Sequence, residues 1–337
     1  ALTSAAVAAL ASAGTTTPHL REIVLGRCYQ LYSQAAERQA AEAAAAGDSS
    51  GDADGEAVPA FDYDALDCAE LWETLSAAFV DVDNLDTVTA DYEPYYAAAD
   101  YTTPRDRALF WSGTDWLSAD FSGRGRRFFR MEDTPGGALM NGLLWCGNAT
   151  EDGGLQVAAG TDCPFGEVDA ETALWRGAMG SFWAGSSATF ARHVRGDVTA
   201  LMYGSRNRPA FRWESFFGTY ELPSLTISQI TSFHILLVRK IGESLAENCT
   251  HGSVPALVDA LVERGVDPDT ISCDDDSEVV RSLLCVDNAN SRECEFASNV
   301  LVDNNAPPAG GCDPAGGAGS GCGWVVFAAV LGWVIAI

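Results

Sequence analysis

Three short segments of this 337-residue chain set aromatic rings beside carboxylates in a way that core packing does not require. They are Leu109-Phe110-Trp111-Ser112-Gly113, Met131-Glu132-Asp133-Thr134 and Phe216-Phe217-Gly218-Thr219-Tyr220-Glu221-Leu222-Pro223, with Trp183 in Ser181-Phe182-Trp183 as a fourth point. Carboxylates and indole faces both suit a flat cation, the first by charge and the second by a cation–π attraction of about 0.5–2 kcal/mol. Each segment also has a plain structural reading. An arbitrary tryptophan is most often a core residue. Glu132-Asp133 ahead of a helix complements the helix dipole, and Glu221 can be a solvated charge at a strand end. Spacing alone describes a soluble, disulfide-bonded α/β ectodomain.

The elements that must position these residues follow from periodicity. Pro18 to about Ala45 reads as a helix, with apolar Leu20, Ile23, Val24, Leu25 and Leu31. Gly47–Val58 is acidic and poor in apolar residues, and reads as a loop or insertion within 39–59. Helical periodicity returns over Tyr63–Phe79 and is expected again over Thr134–Trp145 and Thr172–Arg192. Arg107–Trp111, Asp197–Tyr203 and Ile230–Val238 read as strands. Ser253–Arg264 has a fuller signature, with Ser253 as cap, Pro255 in the first turn and Gly265 as stop. Strand and helix thus alternate in the second half, which predicts a small, largely parallel α/β unit beside a mostly helical first half.

The formal net charge is −27, from 47 acidic and 20 basic residues, and Lys240 is the single lysine. Such a surface repels phosphate backbones and argues against nucleic-acid binding. The ten cysteines fall as local pairs: Cys28/Cys68, Cys146/Cys163, Cys249/Cys273, Cys285/Cys294 and Cys312/Cys322. No CxxC or Cys/His spacing suggests a metal, and an even count points to disulfides and an oxidising compartment. The sequons at Asn148 and Asn248 agree with that. Residues 1–14 resemble the apolar part of a signal peptide. Residues 299–323 read as a Gly/Ala/Pro-rich stalk, and the uncharged stretch 324–337 as a lipid-anchor signal or a truncated transmembrane helix.

Taken together and in order, the motifs resemble the ADP-ribosyl cyclase / cyclic ADP-ribose hydrolase family, most of all its sea-hare type. Thr17-Pro18-His19-Leu20-Arg21 through Cys28 is similar to the start of that type. LFWS (109–112), MEDT (131–134) followed by LLWCG (143–147), SFW (181–183), DVTALMYGSR (197–206), FFGTYELPSL (216–225) and LLCVDN (283–288) recur in family order. The resemblance spans Pro18 to Phe296. It implies a helical domain (15–104 and 130–194), an α/β domain with a four-stranded sheet (105–129 and 195–298), and an active site between them. Carried over by position, Glu221 is the catalytic glutamate, and Trp111 and Trp183 are the pocket tryptophans. Glu132 and Asp133 are the acidic pair at the nicotinamide end. Ser112, Ser187, Phe216 and Phe217 line the pocket, and Ser205 is a candidate for the phosphates.

The implied reaction cleaves the nicotinamide–ribose bond of NAD or NADP as substrate, with no cofactor and no metal. Nicotinamide in NAD is a pyridinium, hence already a good leaving group. Its departure leaves positive charge on ribose C1′ and the ring oxygen, as in glycosidases. Water then gives ADP-ribose, adenine gives cyclic ADP-ribose, and another pyridine gives exchange. An aromatic Phe216 favours cyclisation, Glu132 is compatible with hydrolysis, and the expectation is a mixed activity with hydrolysis prominent. The resemblance also implies a secreted or surface-anchored location. Two departures stand out: Gly196 replaces an expected cysteine of a missing disulfide, and Gly113 replaces a larger polar residue that helps grip phosphate. A catalytically silent surface receptor with the same fold is the competing reading, and the intact set Glu221, Trp183, Trp111 and Glu132 argues against it.

Overall fold

A computed structural model describes residues 16–46, 66–147, 163–205 and 208–294. Its centre is a four-stranded, wholly parallel sheet in the order β1 (Ala108–Ser112), β4 (Gly196–Tyr203), β5 (Ile230–Val238), β6 (Ile271–Asp274). The three strands expected from apolar runs are present, and β6 joins them. Its short pattern Ile271-Ser272-Cys273-Asp274 is half-exposed, so it lacks the continuous apolar run of a central parallel strand. A two-stranded ribbon, β2 (Glu167–Val168) and β3 (Trp175–Arg176), stands apart.

Two apolar clusters cover the two faces of the sheet. The larger includes Val198, Ala200, Phe233 and Ile235, and runs on through α6 (Ala178–His193), α8 (Val254–Glu263), α2 (Cys68–Ser76) and α1 (Leu20–Ala46). The smaller sets Leu109, Leu201 and Val238 against Leu117 and Phe121 of α4 (Asp115–Phe121) and Val280 and Leu284 of α9 (Glu278–Asp287). The alternation of side chains along each strand divides its residues between these clusters.

Two helix expectations are corrected. Thr134–Trp145 contains only one helical turn, α5 (Pro135–Ala138). A Cβ on Gly136 would lie 2.6 Å from the Tyr101 ring, and one on Gly137 would lie 2.1 Å from the Met131 carbonyl oxygen. This segment is therefore built for close approach, and its two glycines give little helix propensity. The helix expected from Thr172 starts only at Ala178, because Gly177 at φ 104° turns the chain and Trp175–Arg176 pair as β3. Ser253 does precede α8, and Gly265 at φ 100° follows it, but the Ser253 side chain makes no cap bond. Its Oγ instead donates to Glu247 Oε2 (2.5 Å) and accepts from the Phe211 amide (2.9 Å).

Four of the expected disulfides are formed: Cys28–Cys68, Cys146–Cys163, Cys249–Cys273 and Cys285–Cys294. Each typically stabilises a fold by about 2–4 kcal/mol. Cys312–Cys322, Asn148 and the two chain ends lie outside the described residues. At Gly196, φ is 75° and a Cβ would fall 1.8 Å from Asp106 Oδ1, which instead accepts from the Asp197 amide at 2.8 Å. This backbone has no room for a cysteine side chain there. No helix among the described residues is long and apolar enough to cross a membrane.

Candidate active site

Glu221 closes a wide helical turn, Phe217–Glu221, that runs into α7 (Leu222–Ser224). The sequence explains the widening. Pro223 has no amide hydrogen and its ring crowds the carbonyl four residues back, so a regular α-turn through Thr219 is disfavoured. Such π-turns recur at functional sites. The turn buries Glu221 to 8% exposure, and its Oε1 accepts from Ser187 Oγ at 3.0 Å. Among the described residues its Oε2 accepts no hydrogen bond, which leaves one carboxylate oxygen for a ligand. Burial pushes the Glu221 carboxyl up to about 8, the Ser187 hydroxyl opposes this, and the nearby Glu132 charge adds to it.

Ser187 joins the site together, because its Oγ also lies 3.6 Å from Met131 Sδ. That contact brings the short turn Met131–Asp133 against the Glu221 turn. Trp183 lies one helical turn before Ser187 on α6 and therefore on the same face. It is half-buried, with edge contact to Phe182 (4.9 Å between centroids) and a tilted contact to Trp145 (6.3 Å). Trp111, at the end of β1, donates its indole N–H to Glu132 (3.2 Å to Oε1). Burial raises the Glu132 carboxyl, and the Arg130 guanidinium at 3.9 Å partly offsets that.

The structure separates the acidic pair. Asp133 is spent on Arg130, with its Oδ2 accepting from Nε at 2.9 Å and its Oδ1 from Nη2 at 3.0 Å. Asp133 Oδ2 also accepts from Ser122 Oγ at 3.0 Å. It positions the turn, while Glu132 is the member that reaches Trp111. The two phenylalanines divide in the same way. Phe217 is a core ring, 2% exposed, between Phe110 (5.6 Å) and Phe211 (6.1 Å). Phe216 is half-buried and stacks on Trp175 at 5.6 Å and 20°. Ser112 is buried and donates to the Ala210 carbonyl at 3.1 Å, so it ties down the loop before the Glu221 turn. Ser205 follows β4 beside Tyr203 and Glu243. Nothing places it with the Glu221 group.

Arg130 is the member that sequence reading passed over. Its side chain is about as buried as those of its partners Asp133 and Glu132, and an arginine two residues from a carboxylate pair was the available signal. Three acid or sulfur donors also come close in Cys249, Cys273 and Asp275, but their sulfurs are joined in the disulfide.

The carboxyl of Glu221 makes the fold's stability pH-dependent. Its folded value, about 8, lies above the ordinary 4.5. The native state therefore holds a proton that the unfolded chain releases, and stability is lost as pH rises from about 4.5 through about 8. Glu221→Gln keeps the shape without the charge. Its melting temperature is expected to match the wild type near pH 4.5 and exceed it by roughly 5 °C at pH 8.5. A constant difference across that range in a calorimetric pH series would contradict this.

An open four-stranded parallel sheet, with the nearly buried Glu132 bonded by Trp111 of β1 and the buried Glu221 bonded by Ser187 of α6, defines an α/β protein with two partnered carboxylates beside the sheet. The chain belongs to the ADP-ribosyl cyclase family, whose model matches residues 17–294. It is similar to the ADP-ribosyl cyclase/cyclic ADP-ribose hydrolase of Aplysia kurodai, at 33% identity over 68% of this chain and 78% of that protein. ADP-ribosyl cyclase/cyclic ADP-ribose hydrolase 2 of Homo sapiens is 27% identical over 87% of this chain and 80% of its own length. Among solved structures, Aplysia cyclase complexed with substrate NGD and product cGDPR superposes with a TM-score of 0.62 at 29% identity, covering 84% of this chain and 99% of that one.

Proposed function

We propose that this protein cleaves the nicotinamide–ribose bond of NAD, releasing nicotinamide and giving ADP-ribose together with cyclic ADP-ribose. The observation that carries this reading is the Glu221 carboxyl, buried, held at one oxygen by Ser187 and open at the other. A pyridinium entering beside it restores the charged carboxylate that burial suppresses. As the ring leaves, positive charge moves to C1′ and the ring oxygen, where the carboxylate meets it. Trp111 and Trp183 hold the flat leaving group, and Glu132, fixed by the Trp111 indole N–H, offers its remaining acceptor capacity to the carboxamide. The leaving group carries its own charge, so the step asks nothing of a metal or a prosthetic group.

These residues come from both regions that the sequence separates into domains: Trp111 and Glu221 from the sheet region, Glu132, Trp183 and Ser187 from the helical one. That supports the two-domain reading with the site between. The four disulfides support an oxidising, extracellular setting. Glycosylation at Asn248 is supported by local geometry, since Asn248 Oδ1 accepts from Thr250 Oγ1 at 3.0 Å in a partly exposed turn. Surface attachment through residues 324–337, by a lipid or a membrane helix, is part of the same reading.

The purified protein incubated with NAD is expected to release nicotinamide, with ADP-ribose and cyclic ADP-ribose resolved by chromatography. Phe216 is packed in an aromatic group with Trp175, Phe165 and Tyr220, which presents a rigid ring where adenine must fold back. Phe216→Thr is expected to move the product ratio several-fold toward ADP-ribose with total nicotinamide release little changed. An unchanged ratio would remove the role given to Phe216.

A further inference from the structure

Residues 208–216, which lead into the Glu221 turn, cross the carboxyl end of the sheet as a strap fastened on both sides. On the β1 side, Ser112 Oγ donates to the Ala210 carbonyl at 3.1 Å. On the α8 side, the Phe211 amide donates to Ser253 Oγ at 2.9 Å and the Ala210 amide to Glu247 Oε2 at 3.3 Å. Ser253 gives up its cap bond to α8 for this role, and such a local departure marks a functional constraint. Among the described residues of the strap, Trp213 is the one large apolar side chain that is exposed, at 54%.

Trp213 is outward-facing and yet fixed. Thr219 Oγ1, inside the Glu221 turn, donates to the Trp213 carbonyl at 2.7 Å. Gly218 of the same turn packs so closely that a Cβ there would lie 2.8 Å from Trp213 Cα. The indole meets Phe211 edge to face, with centroids 5.0 Å apart and planes at 71°, and an edge-to-face contact covers at most one face of the indole. It is the outer end of a ring series that runs from Phe110 on β1 through Phe217 and Phe211. An exposed indole whose backbone is bound to the catalytic turn, on the side of the sheet where ligands enter, is a preorganised flat platform.

We infer that Trp213 is a stacking subsite for the purine base of the dinucleotide, outside the pocket that holds nicotinamide. The inference rests on the NAD-cleaving reading and adds to it a residue that governs dinucleotide over mononucleotide. Nicotinamide mononucleotide carries the reacting half without the purine, so it is blind to such a platform. Base–aromatic stacking of this kind is removed by alanine at a cost of about five- to a hundredfold in affinity.

The test compares NAD and nicotinamide mononucleotide by calorimetry on a Glu221→Gln background, where turnover does not interfere. Trp213→Ala is expected to weaken NAD about tenfold and leave the mononucleotide within twofold. Trp213→Phe, which keeps a flat ring, is expected to recover most of the NAD affinity. Equal weakening of both ligands, or of neither, would overturn the subsite. Failure of the Glu221→Gln protein to bind either ligand would overturn the NAD-cleaving reading itself, and the subsite with it.

Discussion

Glu221→Gln is expected to lower the rate of nicotinamide release by about a hundredfold or more, with NAD affinity changed only a few-fold. The size follows from where the group acts. Glutamine is isosteric and can keep the Ser187 bond, so the ground-state complex is little altered. On the proposed mechanism, what disappears is the negative charge that meets C1′, and removing a single preorganised group of this kind costs about 10²–10³ in rate. The raised carboxyl supplies a second readout. Burial puts it at about 8, and only the ionised form can stabilise the cation. In the wild type, kcat/KM is therefore expected to rise with pH along a limb centred near 8, because kcat/KM reports groups of the free enzyme. Glu132 adds to that shift, so the limb belongs to the coupled pair. The Gln variant is expected to lose the limb. A hundredfold loss that keeps the same pH profile would move the titrating role to another group.

Arg130→Ala is expected to cost about 3–5 kcal/mol of stability, the penalty typical of removing one partner of a buried ion pair. Arg130, Asp133 and Glu132 are all nearly buried, and Asp133 receives two guanidinium bonds as well as Ser122 Oγ. Without the arginine, Asp133 keeps its burial and loses both guanidinium bonds. Glu132, already raised by burial, loses the positive neighbour that holds its value down. The melting temperature should fall by about 10 °C. Adding Asp133→Asn to Arg130→Ala should cost less than the sum of the two single changes, since the second substitution removes the stranded charge. Strict additivity in chemical denaturation would show that the pair does not act as a unit.

The two predictions draw on different layers of legibility. Glu221 was visible in the sequence because FFGTYELPSL stands in order with LFWS, MEDT and SFW, and order maintained from residue 109 to residue 225 is far more specific than any one motif. Arg130 was not visible, because nothing local to an arginine says whether it will meet solvent or a buried carboxylate. Asp133 shows the same limit from the other side. Beside Glu132 it reads as half of a ligand-binding pair, but the choice between Arg130 and the pocket depends on how the 131–133 turn packs against α4 and β1.

By itself the sequence determined the strands β1, β4 and β5, the long first helix and the helix Val254–Glu263 that stops before Gly265. Each of these buries a continuous run or a single stripe, and so writes its own periodicity. It also determined the candidates themselves, since aromatic and acidic residues were already grouped in three short segments. The tertiary structure alone decided which candidates meet. Ser187 and Glu221 are 34 residues apart and Trp111 and Glu132 are 21 apart, so their pairing depends on packing between elements. The same holds where a local signal failed: the glycines that end the expected helix after Thr134 are shaped by Tyr101 and Met131, and Ser253 leaves its helix for Phe211 and Glu247. Local pattern reports the face an element presents to its own core, whereas a site is made where faces of several elements come together.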